Sequence, residues 1–256
     1  MASTSITLDE AVDLARTGDV WLFRGHTAAD RAIQVATNSP VNHVGMAVAI
    51  EDLPPLMWHA ELGRSLPDVW TGTRHRGVQL HDLRDAVLLW AGRHGQRAWL
   101  RQLDPAVTGE MEDAVLRTIA RLAGTPFPST ARLASRWLGS RVPAFWAGTG
   151  RAAVSRAAAA RTAAARTAAA RAAAARAAAP PADGQERAGT DLETAYCAQL
   201  LAATYQAMGL LPDERRPRWY DPGSFWSGDS LDLAAGFRLG GEIAVVTETE
   251  AAPSAG

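Results

Sequence analysis

Cys197 is the single cysteine of the chain, and it stands in ETAYCAQLLAATYQAMGLL, residues 193 to 211. Read as a helix, this stretch puts Cys197, Leu200, Leu201, Thr204 and Met208 on one side at three-and-four spacing, a pattern that also describes a plain core helix. Asp191 and Thr194 are N-cap residue types just upstream. They put the thiol in or near the first helical turn, where unpaired backbone N–H groups and the helix dipole stabilise a thiolate. A nucleophilic thiol also needs a base, because an unperturbed thiol with a pKa of about 8.5 is mostly protonated at neutral pH.

His43 is the candidate base. In NHVGMAVAI, strand alternation places His43, Gly45, Ala47 and Ala49 on one face and Val44, Met46, Val48 and Ile50 on the other. The histidine face is lined by small residues, so a helix carrying Ala198, Ala202 and Ala203 is expected to approach the sheet there. In the next strand, LMWHAEL, His59 and Glu61 share a parity with each other and, in a simple hairpin centred near Leu53, with His43. Either side chain can hold the His43 ring in one tautomer, and the simple register brings Glu61 the nearer. The candidate catalytic residues are therefore Cys197, His43 and His59 (or Glu61).

Other chemistries have less support. A zinc site built from Cys197, His43 and His59 lacks the C-x-x-C and H-E-x-x-H spacings, so no metal is expected. No nucleotide-binding glycine pattern is present, and no cofactor is expected. His75, His81 and His94 stand in polar, arginine-rich surroundings that read as solvated. The nine tryptophans are scattered and suit a core or a cleft wall rather than a stacking array.

These residues need elements to hold them. Thr7 and Glu10 fit a capping box that opens a helix over residues 8–16, ended by Gly18. DVWLF at 19–23 reads as a strand, 28–37 as a short helix, 42–50 and 56–62 as an antiparallel pair. GVQLHDL at 77–83 and AVLLWAG at 86–92 read as further strand, MEDAVLRTIARLAG as a helix within 109–123, and the segment after the cysteine helix as a loop with one or two strands. From Arg151 to Arg176 an arginine recurs every five residues in a nearly all-alanine background; the arginines spiral around any helix formed there and make no single basic face.

A net charge of −1 gives no general attraction to nucleic acid or anionic lipid. A lone thiol suits a reducing compartment, no run approaches the roughly 20 apolar residues of a spanning helix, and the first residues lack a secretion signal. The expectation is a cytoplasmic protein with no membrane span.

Four pieces of the chain, GDVWLFRG at 18–25, SPVNHVGMAV at 39–48, AGTPF at 123–127, and YCAQLLAATYQAMGLLP at 196–212 with DPGSF at 221–225, resemble in their order the circularly permuted papain-like hydrolases. These are the NlpC-type, YiiX-like amidases and, more distantly, the lecithin:retinol acyltransferase group. The resemblance implies an α+β, permuted papain-like fold whose central antiparallel sheet packs against the nucleophile-bearing helix. It implies Cys197 as nucleophile, His43 as base, and a third polar residue where MWHA supplies His59, with Glu61 two positions on. Relatives usually carry an acidic residue at that place and Cys-Ser-Glu-Leu where this chain has Cys197, Ala198, Gln199 and Leu200. Residues 1–150 would then form the N-terminal part of a catalytic domain with the histidine strand, 151–190 a low-complexity insertion, 191–246 the C-terminal part with the cysteine helix, and 247–256 a disordered tail. The implied activity is thiol hydrolysis of an amide or ester in a small-molecule, peptide or acyl-amide substrate. A lipid acyltransferase and a catalytically idle binding module are the alternatives.

Overall fold

A computed structural model describes residues 5–26, 31, 34, 39–50, 53–61, 63–124, 197–227 and 231–247. The expected helix at 28–37, the alanine-arginine stretch and the tail beyond residue 247 lie outside, or almost wholly outside, the described residues.

The chain opens with strand β1 (Ser5–Thr7) and helix α1 (Leu8–Asp13), and the expected capping box is present. The Thr7 hydroxyl accepts from the Glu10 N–H at 3.2 Å and the Glu10 carboxylate accepts from the Thr7 N–H at 2.8 Å. The N-terminus of α1 thus has two of its otherwise unpaired donors satisfied. Strands β2 (Val20–Arg24), β3 (His43–Val48), β4 (Leu56–Glu61) and β5 (Gly77–Asp82) follow as an antiparallel series. β6 (Arg97–Arg101) pairs antiparallel with β2 on its other side, and the C-terminal β9 (Ile243–Val246) lies between β6 and β1. The result is a seven-stranded sheet in the order β1-β9-β6-β2-β3-β4-β5, antiparallel except for the β1–β9 pair. A small second ladder joins β7 (Leu103–Asp104) to β8 (Arg238–Leu239). The architecture is α+β, a large, mostly antiparallel sheet with helices packed on it.

The run at 86–92 is helix rather than strand. Asp82 caps helix α2 (Leu83–Val87) by accepting from the Asp85 N–H at 2.9 Å, and the helix continues through wider i→i+5 turns over Leu88–Arg93. AVLLWA has no period-two alternation, so its apolar content fits a helix once an aspartate cap stands in front of it. β6 follows a short turn later and is a strand that the sequence reading does not contain.

Alternation divides the sheet into two faces with different contents. On one side Val20, Leu22, Val44, Met46, Val48, Trp58, Ala60, Val78 and Leu80 form an apolar cluster. Helix α3 (Gly109–Leu122) contributes Val115 and Ile119 to it. Helix α4 (residues 197–207) contributes Cys197, Ala198, Leu200, Leu201, Ala202 and Tyr205. Trp58 Nε1 donates to Thr204 Oγ1 at 3.0 Å, which fixes α4 on this face. Tyr205 Oη donates to the Gly18 carbonyl at 2.6 Å, so residues from both ends of the chain share one core. On the other side Trp21, Phe23, Ala47, Met57 and Leu100 pack with α1, α2 and Trp90.

The expected docking of the alanine-bearing helix on the Gly45 and Ala47 face is therefore reversed. The Val44, Met46 and Val48 face presents the larger apolar area and takes Leu200, Leu201 and Tyr205, which gain most from burial. The small residues make room on the other side instead: a Cβ at Gly45 would lie 2.4 Å from Met57 Sδ and 3.3 Å from His59 Cβ.

Candidate active site

Three imidazoles stand on the adjacent strands β3, β4 and the edge strand β5, on the face opposite α4. His43 opens β3, His59 lies in β4 and His81 in β5, and all three are buried. His43 Nε2 is 3.1 Å from His59 Nδ1, and His59 Nε2 is 2.9 Å from His81 Nδ1. His81 Nε2 is 3.1 Å from Gln79 Oε1. Every link joins nitrogen to nitrogen until the last, which ends on an amide.

That last link sets the proton positions of the whole chain. Gln79 Nε2 faces the carbonyl oxygens of Glu61 and Gly77, each at 3.5 Å, so its amide oxygen is the atom turned to His81. An amide oxygen only accepts, hence His81 carries its proton on Nε2 and offers a lone pair at Nδ1. His59 Nε2 must then donate to His81 and accept at Nδ1, and His43 Nε2 must donate to His59. The sequence of neutral tautomers leaves a bare lone pair on His43 Nδ1, a buried atom with no hydrogen-bond partner among the described residues.

Burial keeps the chain neutral. It pushes the His43 pKa down to about 3, and that of His81 down to about 4 against an opposing pull from the Asp68 carboxylate. The His59 value lies well below the usual imidazole range, through burial first and its two histidine neighbours second. Charging any ring here means placing a cation in a poorly solvated interior.

Trp90 fixes the geometry from above. Its ring stacks on His43 with centroids 4.0 Å apart and planes 4° apart, and its Nε1 donates to Glu61 Oε2 at 3.2 Å. Burial raises the Glu61 pKa to about 7, opposed by the Trp90 N–H. The other oxygen, Glu61 Oε1, is buried with no partner among the described residues. One ligand atom from each of His59, Glu61 and His81 lies within 4.8 Å of the others, which makes this trio the group among the described residues that could hold a metal ion.

The structure brings His43 and His59 into direct hydrogen bonding. Glu61 bonds to Trp90 instead, although continuing the register of Met46 opposite Trp58 would set Glu61 across from His43. The β3–β4 ladder is paired from Met46 to Val48, and the ring of His59 reaches His43 on the diagonal. Cys197, the first described residue of α4, is 1% exposed and belongs to the apolar cluster of the opposite face.

Sequence reasoning missed His81, Gln79 and Trp90. His81 is fully buried rather than solvated, while His75 is partly exposed and 3.0 Å from Asp68. A signal for the buried pair exists: in GVQLHDL, Gln79 and His81 alternate with Val78 and Leu80, which assigns the polar pair to one face.

No family model and no curated protein matches the chain. Among solved structures it is similar to the metalloprotein yiiX of Escherichia coli O157:H7, at 20% identity with a TM-score of 0.32 over 45% of this chain and 54% of that one. The likeness thus spans about half of either chain. No helix among the described residues is long and apolar enough to cross a membrane.

Proposed function

We propose that the protein is a cysteine hydrolase of amide or ester bonds in which Cys197 is the nucleophile, His43 the base and His59 the residue that orients it. The observation that carries this reading is the buried, unpartnered His43 Nδ1 at the head of three successive hydrogen bonds that end on Gln79. A base needs its accepting nitrogen free and its other nitrogen held, and His43 has both. His43 is the first residue of β3, so in this proposal the thiol from the α4 side reaches the ring around the end of that strand.

In the proposed reaction the Cys197 S–H proton passes to His43 Nδ1 and the sulfur forms a bond to the carbonyl carbon. The leaving amine or alcohol departs with that proton, giving a thioester. Water then loses a proton to His43 Nδ1 and adds to the thioester, and the sulfur leaves and is reprotonated. The cost of charging a buried imidazole is eased by the chain, because His43 Nε2 donates towards His59 and His59 towards His81, where the Asp68 carboxylate favours positive charge.

Purified protein is expected to turn over members of a panel of acyl-amides and esters and to be labelled by electrophilic thiol probes. Cys197→Ala should remove both. Turnover retained by that variant rejects the mechanism.

A further inference from the structure

We infer that His59, Glu61 and His81 form a binding site for a divalent transition-metal cation, with zinc the best-fitting occupant. Their three ligand atoms lie within 4.8 Å of one another and all three residues are buried. In a tetrahedral zinc site with bonds of about 2.0–2.1 Å, neighbouring ligand atoms stand roughly 3.3 Å apart. His59 Nε2 and His81 Nδ1 are already 2.9 Å apart and face each other, so a small outward movement admits an ion between them. Two imidazoles and one carboxylate are a donor set that suits zinc and its neighbours better than calcium or magnesium, which prefer oxygen alone.

Glu61 supplies the independent observation. Its Oε1 is buried with no partner among the described residues, while Oε2 is held by Trp90. An unpaired buried carboxylate oxygen is costly, and a cation on it is one of the few things that satisfies it. The surroundings are those of prepared ligands. Gln79 accepts from His81 Nε2 and turns Nδ1 towards the trio, and His43 contacts the remaining nitrogen of His59.

Metal binding has a consequence for the histidine chain. His59 bound through Nε2 must carry its proton on Nδ1 and donate it to His43 Nε2, which moves the His43 proton to Nδ1. No proton is lost from either ring, but the lone pair assigned to the thiol is gone. Zinc binding itself does not depend on the thiol chemistry and stands or falls separately.

The full-length protein, stripped with a chelator and titrated calorimetrically with zinc alone, should bind one equivalent. Glu61→Gln and His81→Ala should each weaken binding by at least about tenfold, the scale already seen when only an outer partner is lost, whereas Cys197→Ser should bind as the parent does. Cobalt substitution keeps the question decidable even if the ligand variants do not fold. The unaltered chain should give the intense visible absorption of a tetrahedral nitrogen-oxygen site, without a thiolate charge-transfer band. Failure of the stripped protein to bind zinc, unchanged affinity in both ligand variants, loss of binding in Cys197→Ser, or a thiolate band in the cobalt spectrum would each overturn the assignment.

Discussion

The two faces of the central sheet bury their side chains by opposite means. The α4 face is apolar, and the side-chain hydrogen bond that ties helix to sheet there, Trp58 to Thr204, sits inside a continuous cluster. The other face buries His43, His59, Gln79, His81 and Glu61 beside Trp21, Phe23 and Trp90. Apolar burial is stabilising residue by residue, whereas buried polar groups break even only when each finds a partner. The second face meets that demand with a linear chain of hydrogen bonds but leaves Trp21 Nε1, His43 Nδ1 and Glu61 Oε1 without a partner among the described residues. The last two of these are the proposed base nitrogen and the proposed metal ligand.

Substitutions should separate the faces. The largest effect expected is on activity: His59→Ala removes the group that orients the His43 ring and should lower turnover by about 10²–10⁴-fold, the usual worth of a positioned acid-base system. The same variant should stay folded by circular dichroism, which distinguishes lost orientation from lost structure. Trp90→Ala comes next. It opens a cavity over His43 and strips Glu61 Oε2 of its donor, and denaturant unfolding should show a loss of about 3–5 kcal/mol. A smaller loss would mean that the ring is not packed as the 4.0 Å stack implies.

A third prediction concerns Asp19, just before β2, whose carboxylate accepts from the Leu103 and Arg16 N–H groups at 2.8 and 2.9 Å. Burial raises its pKa from 3.8 to about 6, so the folded state holds a proton that the unfolded state releases. That proton favours the fold below pH 4, and the contribution is lost as the pH rises through about 6. The stability difference between the unaltered protein and Asp19→Asn should therefore shift by roughly 3 kcal/mol between pH 4 and 7, at about 1.4 kcal/mol per unit. The parent gains relative to the variant on the acid side, and a pH-independent difference would contradict the burial of this carboxyl. The smallest effect belongs to the apolar face. Thr204→Val leaves Trp58 Nε1 unpaired and should cost about 1–3 kcal/mol with activity little changed.

The elements legible in the sequence are those with both a period and a punctuation mark. Thr7 and Glu10 announce α1, the period of MEDAVLRTIARLAG with Gly124 at its end announces α3, and alternation in NHVGMAV and LMWHAE announces the hairpin of β3 and β4. AVLLWA carries apolar content without a period, and it forms the helix that brings Trp90 over His43. Side-chain size misleads in one respect, since Gly45 and Ala47 accommodate Met57, His59 and neighbouring helices rather than α4. The polar site is half legible. His43, His59 and Glu61 follow from parity, but the role of Gln79 depends on which way an amide faces, and only the carbonyls of Glu61 and Gly77 decide that.

In the proposed mechanism the Cys197 sulfur and His43 Nδ1 share a proton despite entering from different faces of the sheet. The most direct test is the rate of Cys197 alkylation by iodoacetamide in the native protein, followed by mass spectrometry across pH, with and without His43→Ala. A midpoint well below the roughly 8.5 of an unperturbed thiol is expected, moving upward when the imidazole is removed. A native thiol that reacts only after unfolding, or a midpoint that ignores His43, would contradict it.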